Sequence, residues 1–506
     1  MALHRQPATL PPPQPSFILR GHASQVHSVR FVRQNRRFIS GDADGWVVYW
    51  KLETRRPRAV WKAHDGAILR TEQWRRDRVI THGRDNSLRI WQLRACDEST
   101  LSTILPAEDP TTPRPKPWLL YTLPVNTLNF CAFSMCPENA SFSSPSPCSA
   151  AASQDAILIA TPSTDDKQIN IYHYPDEKLR YVVPKVVTTD TGMVMAVKLV
   201  HDPPSQSILV LSGYEGGLTA VHQLPPNNAS STQSAQLVYL SQPHTQPVLS
   251  LDVSVDARTY FTSSADSILA AHRIPDIHVE TVASSTSSHV ITAEKTETSD
   301  LDHTISNVAP LPDGVNDAST VSADTTWTAP LSFSKQPVKP PSANTSKAAG
   351  LSSLLSSSKP PTKAESSPAK PRATIVQAAY KATNTKHCGQ QSLCVRSDGR
   401  IMATGGWDSR VRIYSAKTLK EIAVLKWHKE GVYAVDIAKI LQDGDLRRHD
   451  SDSDSDSDNN AGDDDMVARR ETGLGRLQKQ REEAMQRKHY IAAGAKDGKI
   501  SLWEVF

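Results

Sequence analysis

No stretch of this chain approaches 18 uninterrupted apolar residues, and its first sixteen residues carry a proline run in place of an apolar segment, so neither a membrane-spanning helix nor a secretory signal is expected. Cysteine is scarce and unpaired in pattern. Cys96, Cys131, Cys136, Cys148, Cys388 and Cys394 form no C-x-x-C unit, which argues against a structural zinc site or a disulfide framework and for reduced thiols. Charge of one sign is also lacking: 57 Lys and Arg stand against 53 Asp and Glu, a net +4 too small for 506 residues to make nucleic acid or an acidic membrane the main partner. Aromatic residues make up 6% and hydrophobic residues 38%, while 35 prolines and many Ser and Thr point to long segments that cannot bury enough apolar surface to fold. Catalytic signatures are missing as well. There is no Gly-rich phosphate loop, no G-x-S-x-G elbow and no H-E-x-x-H cluster, so no catalytic, cofactor-binding or metal-binding residue is expected.

What the chain does have is internal repetition. His22, Ser40, Asp44 and Trp50 are matched by His64, Thr81, Asp85 and Trp91, with 28 residues from His to Trp in the first set and 27 in the second. An acidic residue six positions before a bulky one recurs at Asp166 and Tyr172, Glu215 and Val221, Asp266 and His272, Asp408 and Tyr414, and Asp497 and Trp503. That makes seven units. Upstream histidines keep the register, His244 lying 28 residues before His272 and His387 lying 27 before Tyr414, and His428 opens the seventh unit. Between these markers run short apolar or alternating segments such as Val47-Val48-Tyr49 and Ile208 to Leu211, separated by turns with Gly or Asp. Units of about four short antiparallel strands cannot bury their faces alone, and repetition around an axis gives a seven-bladed β-propeller, an all-β fold.

The His, Ser or Thr, Asp and Trp positions resemble the WD-repeat signature over most of the chain outside two insertions. In that family these residues form a hydrogen-bonded set that holds each blade, which assigns here His22, Ser40, Asp44 and Trp50; His64, Thr81, Asp85 and Trp91; His387, Thr404, Asp408 and Tyr414; and His428, Asp497 and Trp503. A Ser-His-Asp set repeated around a ring is a fold signature, since catalysis needs an exposed nucleophile. In the same family each repeat begins with the outer strand of the blade before it, so residues 17–20 are expected to complete the last blade and close the ring.

The organisation expected is a Pro-rich N-terminus at 1–16, repeats one to five at 17–274, a disordered Ser/Thr/Pro-rich insertion at 275–373, repeat six and the start of seven at 374–440, an insertion at 441–488 and the end of repeat seven at 489–506. The second insertion opens with an alternating Asp-Ser tract at 450–458, a natural acceptor for acid-directed kinases, and ends in helix-forming residues 469–488 without a wide apolar face, expected as a solvent-exposed helix. If the opening His and the turn Asp of each unit are bonded, the residue before each Asp shares one rim. Those residues are Ala43, Arg84, Asp165, Tyr214, Ala265, Trp407 and Lys496, of which Arg84, Tyr214, Trp407 and Lys496 are types that dominate binding hot spots.

Longer strings narrow the resemblance. Arg20 to His27, Ser40 to Val48, Trp61 to Leu69, Thr81 to Asp85, Gly406 to Asp408 with Arg410 to Tyr414, and Val424 to Gly431 are similar to the fungal ASTRA-associated WD-repeat family, akin to G-protein-β-subunit-like proteins of animals. The resemblance implies a non-enzymatic scaffold, a nuclear and also cytoplasmic chromatin regulator, partnered by the other ASTRA subunits and tied to maturation of phosphatidylinositol-3-kinase-related kinases. It implies no cofactor, no direct nucleic acid, no membrane and no small-molecule substrate. The alternatives are a G-protein-β-like signalling scaffold, against which the absence of a long N-terminal heptad helix counts, and a substrate receptor of ubiquitin ligases.

Overall fold

Period-two apolar patterns broken every few residues by Gly, Asp or Asn turns produce short up-and-down strands, and seven four-stranded antiparallel sheets result. The computed structural model describes residues 13–108, 113–126, 130–139, 156–187, 189–203, 205–225, 234–276, 376–442 and 473–505. Blade one consists of Val26–Val32, Arg37–Asp42, Trp46–Lys51 and Arg56–Lys62; blade two of Ile68–Trp74, Arg78–Gly83, Ser87–Gln92 and Trp118–Pro124. Blade three is Ser134–Pro137, Ile157–Pro162, Ile169–Tyr174 and Lys178–Val183, and blade four is Val194–His201, Ile208–Tyr214, Thr219–Gln223 and Gln236–Ser241. Blade five is Val248–Val253, Thr259–Ser264, Ile268–Arg273 and Lys381–Asn384, and blade six is Gln390–Val395, Ile401–Gly406, Arg410–Ser415 and Glu421–Lys426.

Blade seven takes Val432–Ile437, Tyr490–Ala495 and Lys499–Glu504 from the C-terminal part and Phe17–Arg20 from the N-terminal part. Phe17 pairs with Leu502 and Leu19 with Ile500, so the ring is closed by the two ends of the chain and no bare edge is left there. The sequence expected as the 275–373 insertion runs between the third and fourth strands of blade five, and that at 441–488 between the first and second strands of blade seven. Residues 277–375 and 443–472 lie outside the described residues, as do 1–12, so the expectations of disorder there and of a phosphorylated Asp-Ser tract concern undescribed positions.

The core sits between blades. Along Trp46–Lys51, side chains 46, 48 and 50 pack with Leu19, Ile500 and Leu502 of blade seven, whereas 47 and 49 pack with Ile68, Val79 and Trp91 of blade two. Period two on a strand buried on both faces thus builds two interfaces at once. The Trp61 and Trp91 rings meet edge to face with centroids 6.2 Å apart.

The single α-helix among the described residues, α1 (Gly473–Gln486), returns the chain to the ring with Arg476, Leu477, Gln478, Gln480, Arg481 and Ala484 exposed, in line with the expected solvent-exposed helix, and docks through its last turns. Polar contacts hold it where an apolar stripe is lacking: Glu482 pairs with Lys51 at 2.7 Å, Gln486 Nε2 donates to the Gln34 carbonyl at 3.0 Å, and Met485 packs on the core of blades one and seven. Burial works against ionisation of Glu482, yet its bond and charge pairing with Lys51, with Arg36 and Arg37 nearby, hold its carboxyl below the ordinary glutamate value.

Candidate partner-binding rim

The blade turns are fixed by buried sets that begin with the hydroxyl. In blade two, Asp85 accepts from His64 Nδ1–H at 2.8 Å, so the imidazole offers Nε2 to the Thr81 hydroxyl at 2.7 Å, and Thr81 Oγ1 accepts the Trp91 indole N–H at 2.8 Å. Blade one has the same chain through His22, Ser40 and Trp50, with distances of 2.7, 2.7 and 2.8 Å, but the carboxylate is Asp42. Asp44 is exposed and contributes only its backbone N–H, which donates to Asp42 Oδ1 at 3.0 Å; Asp42, on the strand itself, is already aimed at the ring. Blade five, where sequence reasoning saw only register, holds a full set: His244 meets Asp266 at 3.2 Å and Thr262 at 2.8 Å, and His272 replaces Trp, 3.2 Å from Thr262.

Two further sets are rebuilt. In blade six His387 does not occupy the histidine position; it is half exposed and 3.7 Å from Asp408, while the Thr404 hydroxyl donates to Gln390 Oε1 at 2.6 Å and Asp408 is held by Arg412 at 2.6 Å. Tyr414 is buried in the apolar cluster shared with blade five. In blade seven the second strand carries Ala493 where the hydroxyl belongs, and Ser501, directly opposite it on the neighbouring strand, accepts the Trp503 indole N–H at 2.8 Å and lies 2.7 Å from His428 Nε2. Asp497 is 3.8 Å from His428 Nδ1 and is bonded by Lys499.

These turns present the rim. Six backbone N–H groups bond back to the segment just before their blade's first strand: Ala43 to Gln25, Arg84 to Ala67, Glu215 to Met193, Ala265 to Pro247, Trp407 to Gly389 and Lys496 to Gly431, all between 2.8 and 3.0 Å. The fourth blade's rim residue is therefore Glu215. Tyr214 is fully buried, one position earlier on its strand, with its phenol accepting from the Ser212 hydroxyl at 3.1 Å; the missing His and Asp of that unit hid the one-residue offset. Asp165 is spent within its own turn, accepting from the Lys167 N–H at 3.2 Å and from Gln168 Nε2 at 3.0 Å. Arg84 and Lys496 are exposed. The Arg84 guanidinium lies 4.4 Å from the ring centre of Phe130, which is 61% exposed.

Trp407 is 47% exposed and rigidly placed: its indole N–H donates to Gln391 Oε1 at 2.8 Å, and its ring lies so close over Gly389 that a Cβ there would meet it at 2.1 Å. Gln391 belongs to a second ring of residues that sequence reasoning missed. In six blades the first strand has a bulge at its second residue, and the extra residues are His27, Leu69, Met195, Leu249, Gln391 and Tyr433. All are half buried and, with Phe130, line the axial cavity. That cavity is about 170 Å³, below the roughly 300 Å³ at which drug-sized ligand pockets begin. Around its mouth Trp407, Tyr433, Phe130, Met195 and Arg84 supply aromatic, flexible apolar and cationic surface, the residue types that dominate binding hot spots.

Deeper in, the axial wall is closed by charge pairs and hydroxyl latches. Arg30 bonds Glu72 at 2.9 Å and Asp436 at 3.0 Å, Arg70 bonds Glu72 at 3.1 Å, and Lys198 bonds Asp252 at 2.8 Å, so three cations meet three carboxylates. Burial works against the Glu72 charge, but Arg30 and Arg70 hold its pKa down to about 2; at Asp436 burial prevails over Arg30 and pushes the carboxyl up. Ser28, Ser134, Ser250 and Ser392 each accept a backbone N–H of the next blade, from Thr71, Leu199, Leu393 and Val435, at 2.9 to 3.1 Å. Three of the four are the third residue of a first strand, a spacing visible in the sequence once strand starts are known.

A family model for ASTRA-associated protein 1 matches residues 15–503. The chain is similar to proteins of that name from Pyricularia oryzae, 39% identical over 508 residues with both chains fully covered, from Verticillium alfalfae, 38% identical with 98% of this chain and 93% of the relative covered, and from Aspergillus niger, 36% identical with 98% of each covered.

Proposed function

The chain belongs to the ASTRA-associated protein 1 family, and from that premise we propose that it is a non-enzymatic scaffold of the ASTRA assembly, acting in the nucleus in chromatin remodelling and in maturation of phosphatidylinositol-3-kinase-related kinases. The observation that carries the scaffold reading is the axial mouth: aromatic and cationic side chains held on rigid turns around a cavity too small for a substrate pocket. Binding there uses surface already ordered, so little conformational entropy opposes association. The other ASTRA subunits are the proposed partners, with Trp407 and Arg84 as anchors.

The test is tagged purification of the full chain from nuclear and cytosolic extracts at two salt concentrations, with mass spectrometry of what accompanies it. Remodelling helicases, the large kinase-related subunit and its cochaperones are expected in the nuclear fraction, reduced at least fivefold by Trp407→Ala with Arg84→Ala while the melting temperature stays within about 2 °C. Recovery of a γ-like subunit or of ubiquitin-ligase components in their place overturns the assignment; unchanged recovery by the double variant overturns the rim.

A further inference from the structure

The end of the ring opposite this rim carries a concentration of charge that the scaffold reading leaves unused. In blade one, Arg33, Arg36 and Arg37 sit at the turn between the first and second strands, and Arg55, Arg56 and Arg58 at the turn into the fourth; Arg75, Arg76 and Arg78 occupy the first turn of blade two. First-to-second and third-to-fourth turns of an up-and-down sheet lie at the same end, and here they are directly bonded. The Leu52 N–H donates to the Arg36 carbonyl at 3.2 Å, and Arg33 Nε donates to the Arg76 carbonyl at 3.1 Å.

Among the described residues, with Lys51 these are ten cations, against four carboxylates at Glu53, Asp77, Glu98 and Glu482, an excess of six. Glu53 and Glu482 pair with Lys51, and Glu98 pairs with Arg33 and Arg37. Aromatic faces orient several guanidinium groups: Arg75 and Arg78 lie 5.5 and 4.6 Å from the Trp74 ring centre, and Arg55 lies 4.7 Å from that of Phe17. Arg56, Arg75 and Arg76 are exposed.

From this face the chain departs after Val432–Ile437 and to it returns through α1, and one side chain in the basic turn bonds both legs. Asn35 Oδ1 accepts the Lys439 N–H at 3.0 Å, while Nδ2 donates to the Lys439 carbonyl at 2.7 Å and the Gln486 carbonyl at 3.0 Å. Arg33, Gln34 and Asn35 all take positive φ, at 49°, 51° and 61°, a left-handed run that is unfavourable for residues other than glycine and is held by these bonds. The sequence between the two legs holds Asp450, Asp452, Asp454, Asp456, Asp458, Asp463, Asp464 and Asp465, with no basic residue among them. Asp450 is eight residues beyond Gln442, a reach of up to about 28 Å, and a tether that short sets an effective concentration on the order of millimolar.

We propose that the arginine face of blades one and two binds this chain's own acidic segment, Asp450 to Asp465. Carboxylates and guanidinium groups pair bidentately, and a run of them makes the contact steeply dependent on salt. The experiment uses a fluorescein-labelled synthetic peptide of residues 448–466, the full-length chain, and a full-length variant with the eight aspartates changed to Asn.

The peptide is expected to bind the Asn variant at least tenfold more tightly than the unaltered chain, whose own segment occupies the face. Affinity for the variant should fall at least tenfold on adding Arg75→Ala and Arg76→Ala, and at least fivefold between 50 and 300 mM salt. If that combination does not fold, the exposed Arg56→Ala decides, with a loss of threefold or more. Equal affinity for the Asn variant and the unaltered chain, or binding indifferent to these arginines, overturns the proposal. A single-stranded oligonucleotide of similar length bound equally well by both chains also overturns it, since the face is then open to nucleic acid.

Discussion

Replacing Thr81 by Val keeps the volume of a fully buried side chain and removes one oxygen that serves two partners. The His64 Nε2 lone pair loses its donor at 2.7 Å and the Trp91 indole N–H loses its acceptor at 2.8 Å. Each buried polar group left without a partner costs about 1–3 kcal/mol, so Thr81→Val should destabilise the ring by roughly 2–5 kcal/mol. Trp91→Phe removes the indole N–H beforehand; in that background Thr81→Val orphans only the histidine, and the pair should couple by about 1–2 kcal/mol. Urea unfolding of the four proteins at unchanged slope gives the cycle, and hydrogen exchange at the Asp85 turn shows whether blade two opens first. A Thr81→Val chain within about 0.5 kcal/mol of the parent, or strictly additive effects, would refute the claim that these sets hold the blades.

Gly45→Ala tests a turn seen in three blades: Gly45, Gly217 and Gly498 have φ of +85°, +79° and +73°, and a Cβ at each would lie 1.9, 2.2 and 2.6 Å from the carbonyl oxygens of His64, His244 and His22. The turn cannot yield without moving the next histidine, so a loss of at least about 3 kcal/mol is expected, read by urea titration. Deleting residues 1–20 removes the closing strand with Phe17 and Leu19 and exposes Lys499–Glu504 as an edge; the truncated chain should melt well below the full one and aggregate, and identical melting curves would show that the ring does not depend on that strand. For acid stability, burial lowers His82 and His272 to about 3 and His222 to about 4. Below the unfolded value near 6.5 the unfolded chain binds more protons, so stability is full above pH 6.5 and falls as pH drops towards 3–4, by up to about 1.4 kcal/mol per pH unit per histidine; urea midpoints unchanged between pH 7 and 5 would contradict this.

How far the sequence carries depends on whether a residue's role is set by spacing or by what faces it across a ladder. The seven units follow from period and pattern, because a strand buried on both faces must alternate between two neighbours, as 46, 48, 50 and 47, 49 do, whereas the closing strand follows from the resemblance to the WD-repeat family. Network membership is set instead by which oxygen reaches the ring. Asp42 and Asp44 are two residues apart in one turn, and spacing to Trp50 chose the wrong one because side chains two apart on a strand share a face until the turn rotates the second away. Ser501 was invisible for a related reason: its partner position, Ala493, is opposite it in the ladder and not beside it in the chain. Tyr214 failed by one register step, which on a strand turns a side chain from one face to the other, here into the core. The bulge ring has no composition at all, being His, Leu, Met, Leu, Gln and Tyr. Its members share a backbone irregularity just after the first residue of each inner strand, and a position under that geometric constraint leaves the side chain free to vary. Such a ring keeps its place through the fold, and under the proposed scaffold function it is at the axial mouth that side chains can differ without disturbing a common propeller.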